Sequence, residues 1–306
     1  MFLDIFYIVA GAVLVLWGAD KMTDGAVAVA ERMGIPQIII GLTIVAMGTS
    51  MPEFCVSLVS ALRGTADLAV GNVVGSNVFN AMLIVGVAAA VAPITILQST
   101  VRRDIPFALL ASALLVAMCY DGTISRLDAA ILFALFVVFM AFTINGAKNS
   151  APDSSATKKG YTMLRSLLLV AIGLACLIFG SNLFVEGARS VATSLGVSEA
   201  VVGLTIVAMG TSLPELATSV VAARKGNSGI AIGNVLGSNV FNILFILGAT
   251  GLISPMTISG ITVLDLSMLI VSMGLLYLFS FTKLTISRWE GWVLTLIFCG
   301  YIWWII

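Results

Sequence analysis

The sequence predicts an all-α polytopic membrane protein, with ten transmembrane helices forming two inverted five-helix repeats. Three observations carry this expectation. Apolar runs recur from end to end of the 306-residue chain, each of about 18–25 residues and so long enough to cross ~30 Å of hydrocarbon as a helix. Residues 41–86 and 203–248 are nearly one segment written twice, aligning without a gap at an offset of 162 with 28 identities in 46 positions. One polar linker, 148–164, leaves five spans on each side. Five is odd, so the second set enters the membrane with the opposite orientation to the first.

Composition narrows the function classes. The chain is 60% hydrophobic and 10% charged, with mean hydropathy +1.13, far from a soluble domain. Continuous rather than alternating apolar runs argue against a β-barrel. Net charge is zero, which gives no electrostatic case for nucleic acid, and there is no histidine to serve as metal ligand or general base. Cys55, Cys119, Cys176 and Cys299 fall singly in apolar runs without CxxC spacing and read as small buried hydrophobes. Nothing in the sequence asks for a cofactor or a protein partner. The lipid bilayer is the expected surrounding.

The elements follow in order. The first span covers about 2–19. Asp4 stands where a signal peptide would be basic, and Gly18, Gly25 and Gly34 match Gly180, Gly187 and Gly196. The first span therefore belongs to the repeat and is expected to stay in the mature protein. Spans at 35–62, 67–92, 104–120 and 127–147 complete a first unit, 1–147. After the linker, spans at 165–185, 197–223, 229–253, 263–281 and 289–305 make a second unit, 165–306. Trp289, Trp303 and Trp304 fit interfacial anchors at the last span. With the N-terminus outside, twelve basic residues fall in cytoplasmic segments and only Arg63, Arg126 and Arg189 outside. That bias places both termini outside and the linker, with Lys158 and Lys159, in the cytoplasm of a cell (inner) membrane.

Polar residues inside the apolar spans carry the chemistry. Gly48-Thr49-Ser50-Met51-Pro52-Glu53 interrupts the second span, and Gly210-Thr211-Ser212-Leu213-Pro214-Glu215 interrupts the seventh. Proline cannot donate a backbone hydrogen bond, so carbonyls near Ala46–Thr49 and Ala208–Thr211 need partners that lipid does not offer. A cation is such a partner. A kinked helix with a hydrogen-bonded glutamate would account for one copy. Two matched copies each bear ~2.5–3.5 kcal/mol of insertion cost and ask for a function.

Beside each break runs a second polar stripe. Asn72, Ser76 and Asn80 repeat at i,i+4, as do Asn234, Ser238 and Asn242. Gly71 and Gly75, like Gly233 and Gly237, form GxxxG ridges for close helix packing. This packing would bring the amides against the glutamate-bearing helix. The donors are all hard oxygens, suited to Ca2+ and Na+ rather than zinc or copper. No basic residue lies mid-span to take an anionic substrate or a phosphate, which argues against an intramembrane enzyme. Asp20, Asp24, Glu186 and Glu199 read as solvated span ends, and Asp67, Asp121, Asp128 and Asp265 as loop residues.

At GTSMPE and GTSLPE, followed by GNVVGSNVFN and GNVLGSNVFN, the chain resembles the α-repeats of the calcium/cation antiporter superfamily, in particular its sodium/calcium exchanger branch. The resemblance covers both repeats and the five-plus-five layout. It implies a secondary active antiporter, not an enzyme, exchanging Ca2+ for Na+ by alternating access, with Ca2+/H+ or K+-assisted exchange as the alternative within the superfamily. It implies a central calcium site on Glu53 and Glu215 with the carbonyls of Thr49 and Thr211. Sodium sites would use Ser50, Ser76, Ser212, Ser238 and the carbonyls of Ala46 and Ala208. Asn80 and Asn242 would complete the centre. Some members of the family carry aspartate at one of these two positions, whereas both are asparagine here.

Overall fold

A computed structural model describes residues 2–148, 160–196 and 208–305. The chain is a bundle of helices. α1 is Phe2–Met33, α2 Gln37–Thr49, α3 Met51–Leu62, α4 Ala66–Val91, α5 Thr100–Asp121 and α6 Arg126–Lys148. α7 is Met163–Ser194, α8 Leu213–Arg224, α9 Ser228–Ile253, α10 Val263–Lys283 and α11 Arg288–Ile305. Among the described residues, seven helices are long and apolar enough to cross a membrane, and the pair α2–α3, bent by 47°, makes an eighth. The protein is thus a mostly helical, polytopic membrane protein. The expected seventh span lies partly outside the described residues, as do Glu199, Lys158 and Lys159.

Two of the spans expected to be short are long. α1 and α7 each run 32 residues, about 48 Å at 1.5 Å per residue. Asp20 and Asp24 do not end α1, because they are not free solvated caps: the Lys225 ammonium meets Asp20 at 2.5 Å and Asp24 at 2.7 Å. Paired acids can stay inside a helix. Glu186 likewise sits within α7, exposed. α1 and α7 pack along their lengths through glycines at 11, 18 and 25 on one and 173, 180 and 187 on the other. A Cβ at Gly18 would lie 2.7 Å from the Gly173 carbonyl oxygen, and one at Gly173 would lie 2.6 Å from the Met22 nitrogen. Only glycine permits this approach of two backbones.

α4 and α9 form the enclosed centre, and α9 is buried along nearly its whole length. Its glycine ridge seats against α2. A Cβ at Gly233 would lie 2.7 Å from the Ile38 carbonyl oxygen, and one at Gly237 would lie 2.6 Å from that of Leu42. Two short antiparallel bridges tie the ends of the bundle. β1, Ile94–Thr95, pairs with β4, Thr285–Ile286. β2, Thr123–Ile124, pairs with β3, Met256–Thr257. Adding 162 to β1 gives β3, and adding it to β2 gives β4, so one pairing recurs at the repeat offset.

Four acids expected in loops belong to helix ends. Asp67, in the first turn of α4, accepts the backbone N–H groups of Ser259 and Gly260 at 2.8 Å each. Asp121 accepts from Thr123, and Asp128 from Ser125. Asp265 completes a capping box with Thr262. Of the cysteines, Cys119 is buried but Cys55 and Cys299 are exposed. Hydropathy reads lipid-facing and core-facing positions alike, which is why both were expected inside. Trp289, Trp303 and Trp304 are exposed at the ends of α11.

Candidate cation-binding site

The site begins at the two helix breaks. Ser50 (φ −84°, ψ 7°) and Ser212 (φ −90°, ψ 6°) leave helical geometry at matching positions. Pro52 and Pro214 follow, each in the first turn of the helix that resumes. Neither offers an N–H to the carbonyl four residues back, at Gly48 or Gly210. Glu53 and Glu215 therefore fall in the first turns of α3 and α8, where the positive end of the helix dipole favours a carboxylate. Both are 1% exposed.

Each glutamate is tied to the other repeat. Ser50 Oγ donates to Glu215 Oε1 at 2.9 Å, and Ser212 Oγ donates to Glu53 Oε1 at 2.9 Å. Ser212 Oγ also lies 3.3 Å from Ser76 Oγ. These hydroxyls leave the second carboxylate oxygens, Glu53 Oε2 and Glu215 Oε2, buried without a hydrogen-bond partner. Asn80 Oδ1, Asn242 Oδ1 and Ser238 Oγ share that condition. Buried polar oxygens are nearly always paired, with protein, water or a ligand, so these five are available to a bound cation. All five belong to residues that the sequence nominates.

The other nominated residues lie along the same two breaks. Ala46 is buried at the end of α2, its carbonyl accepting the Ser50 N–H at 3.0 Å. Thr49, also buried, does not point at Glu53 across the break. Its hydroxyl reaches back to the Val45 carbonyl at 3.1 Å and across to Asn234 Oδ1 at 3.1 Å. Thr211 stands partly buried in the turn before α8. Ala208 opens the short turn Ala208–Gly210, and its side chain is outside the described residues.

Asn72 and Asn234 brace the breaks. Asn72 Nδ2 donates to the Glu53 carbonyl at 3.2 Å and to Ser57 Oγ at 2.9 Å. Asn234 Nδ2 makes the same pair with the Glu215 carbonyl, 3.2 Å, and Ser219 Oγ, 2.9 Å. π-helical turns at Phe79–Ile84 and Phe241–Leu247 widen α4 and α9 where Asn80 and Asn242 project.

Sequence reasoning passed over Ser57, Ser219, Asn77 and Asn239, although the offset of 162 relates the first to the second and the third to the fourth. It also passed over Asp104 and Glu290, both buried. Asp104 pairs with Arg103 at 2.8 Å, and Glu290 Oε2 accepts the Ser287 N–H at 2.7 Å. Among the described residues, no three of His, Cys, Asp and Glu cluster as a metal site. The centre holds two carboxylates among neutral oxygens, a donor set for a hard cation of low charge.

Comparison with known proteins places this site in context. The family profile described as "Sodium/calcium exchanger protein" matches residues 3–145 and 165–306. The chain is 30% identical to the sodium/calcium exchanger MaX1 of Methanosarcina acetivorans, over 95% of each chain. It is 38% identical to the inner membrane protein YrbG of Escherichia coli, over 83% of this chain and 81% of that one. It also superposes on the solved structure of the sodium-calcium exchanger NCX_Mj soaked with 10 mM Na+ and 10 mM Sr2+. There the TM-score is 0.87 and the identity 30%, covering 98% of both chains.

Proposed function

The chain belongs to the sodium/calcium exchanger family, and from that premise we propose that it is a secondary active antiporter exchanging Ca2+ for Na+ by alternating access. The observation that carries this reading is the set of five unpartnered buried oxygens, two of them on the carboxylates of Glu53 and Glu215. Two ionised glutamates, Glu53 and Glu215, balance one Ca2+, with the carbonyls of Thr49 and Thr211 beside them. Na+, of single charge, is served by neutral oxygens: Ser50, Ser76, Ser212, Ser238 and the carbonyls of Ala46 and Ala208. Asn80 and Asn242 close the centre. No bond is made or broken, so no catalytic group is required.

Exchange rather than leak follows from charge. Without a cation the two buried carboxylates are uncompensated, and moving them through a closed intermediate is costly. A bound ion lifts that cost and permits the switch. The mobile part is the glycine-paired unit of α1 and α7, working against a core of α2, α3, α4, α8 and α9. Ten spans in two inverted repeats, with both termini outside and the linker cytoplasmic, fit this cycle. Three contacts support that layout. Each β bridge joins loops that the charge bias assigns to one side, and Lys225 meets Asp20 and Asp24 on a common side.

The test is 45Ca2+ uptake by proteoliposomes under imposed gradients of Na+, H+ or K+. Outward Na+ gradients are expected to drive uptake. Uptake driven by H+ alone, or a requirement for K+, would replace the proposed counter-ion. Uptake that dissipates as a simple leak, without counterflow, would replace the antiporter by a channel.

A further inference from the structure

We propose that Asn77 and Asn239 are positioning residues that fix which end of the Asn242 and Asn80 amides faces the cation. The proposal rests on the cation-site reading above and deepens it. All four asparagines are buried, at 0–1% exposure. A backbone carbonyl can only accept a hydrogen bond. Asn77 Nδ2 lies 3.1 Å from the Asn239 carbonyl oxygen, so the nitrogen end of Asn77 is pinned there. Its Oδ1 must face the other way, and there it accepts Asn242 Nδ2 at 3.0 Å. Asn242 is thereby held with nitrogen toward Asn77 and oxygen turned away, and that oxygen is one of the five without a partner.

The mirror arrangement holds Asn80. Asn239 Nδ2 donates to the Asn77 carbonyl at 3.3 Å and to Met273 Sδ at 3.3 Å. Asn239 Oδ1 accepts Asn80 Nδ2 at 3.1 Å, which turns the unpartnered Asn80 Oδ1 away. An amide has two ends of similar shape and opposite polarity. Flipped, Asn242 or Asn80 would present N–H groups to a cation and set two oxygens against each other at the clamp. Two backbone carbonyls thus decide the polarity of two ligands, through one intervening side chain each. Each clamp crosses the repeat boundary: α4 orients the ligand on α9, and α9 orients the ligand on α4.

This crossing gives the test. Ca2+ binding to the purified full-length protein is measured by calorimetry for Asn77→Ala alone, with Asn242→Ala, and with Asn80→Ala. Asn77→Ala is expected to weaken Ca2+ binding ~10–100-fold, the usual effect of removing a partner that orients a metal ligand. With Asn242 already alanine, it should weaken binding no further. With Asn80 already alanine, it should keep its full effect, because Asn80 is held by Asn239. A purely structural role would not distinguish the two backgrounds. Asn77→Ser, and the mirror cycle of Asn239→Ala with Asn80→Ala, carry the same test should Asn77→Ala not fold. Wild-type affinity in a folded Asn77 variant, or equal effects in both backgrounds, overturns the proposal. Glu53→Gln is measured alongside. If it binds Ca2+ as tightly as wild type, the cation-site reading fails. If it loses binding while the cycles are additive, only the positioning role fails.

Discussion

Asn234 gathers three side-chain hydrogen bonds within the site. It is fully buried, donates to the Glu215 carbonyl and Ser219, and accepts from Thr49 of the other repeat. Replacing it by leucine keeps the volume and removes the partner of the Ser219 hydroxyl and of the Glu215 carbonyl, while Thr49 keeps its bond to the Val45 carbonyl. Leaving buried groups unpaired costs about 1–3 kcal/mol each. Asn234→Leu is therefore expected to lower the unfolding midpoint of the detergent-solubilised protein and to weaken Ca2+ transport with it. An unchanged midpoint would mean that the Glu215 break is held by packing alone. Ser212 differs in kind, since its one hydroxyl serves Glu53 and sits beside Ser76. Ser212→Ala should leave the fold intact and raise the Na+ concentration needed for half-maximal exchange, read from the Na+ dependence of 45Ca2+ flux.

At the scale of elements, the contact between α1 and the end of α8 is the one the proposed cycle must open. Lys225 holds Asp20 and Asp24 together there. The repeat offset of 162 carries Lys225 to Arg63 and Asp24 to Glu186, the same pair of charges in the other repeat, which the proposed inverted layout sets at the opposite end of the bundle. Arg63 and Glu186 are exposed and form no ion pair among the described residues. The structure thus pairs one set of these charges and leaves the matching set apart. Partly exposed pairs of this kind contribute only about 0–1 kcal/mol, which suits a contact that must break at every turnover. Cysteines at 24 and 225 are expected to arrest exchange when cross-linked and to release it on reduction. Cysteines at 63 and 186 should cross-link only during turnover. Full exchange with the 24–225 cross-link in place would mean that α1 does not move against α8. The length of α1 was hidden in the sequence for the same reason. Asp20 and Asp24 look like a span end until Lys225, some 200 residues away, is seen beside them.

At the scale of the whole molecule, most of the candidate site is legible in the sequence because polar residues stand out against apolar spans, and because the repeat writes each one twice. Glu53, Ser76, Asn80 and their counterparts needed no structure to be found. Asn77 and Asn239 were present in the same motif, but their role depends on which side of α4 meets which side of α9. Cys55 and Cys299 were misplaced because lipid and protein core are equally apolar. The orientation of the bundle remains readable only as charge bias, and it has its own test. A cysteine introduced at Ser155 in the linker is expected to resist an impermeant thiol reagent outside intact cells, while ready labelling there would reverse the layout. The central claim is that Glu53 and Glu215 bind the transported calcium. Both glutamates are enclosed, each is hydrogen-bonded through one oxygen, and each has a second oxygen without a partner. The most direct measurement is Na+-driven 45Ca2+ uptake by proteoliposomes containing Glu53→Gln protein, checked for folding, beside wild type. The account predicts that uptake is abolished while the variant folds normally, since the substitution removes a buried charge and keeps the shape. Wild-type uptake by the well-folded variant would contradict it.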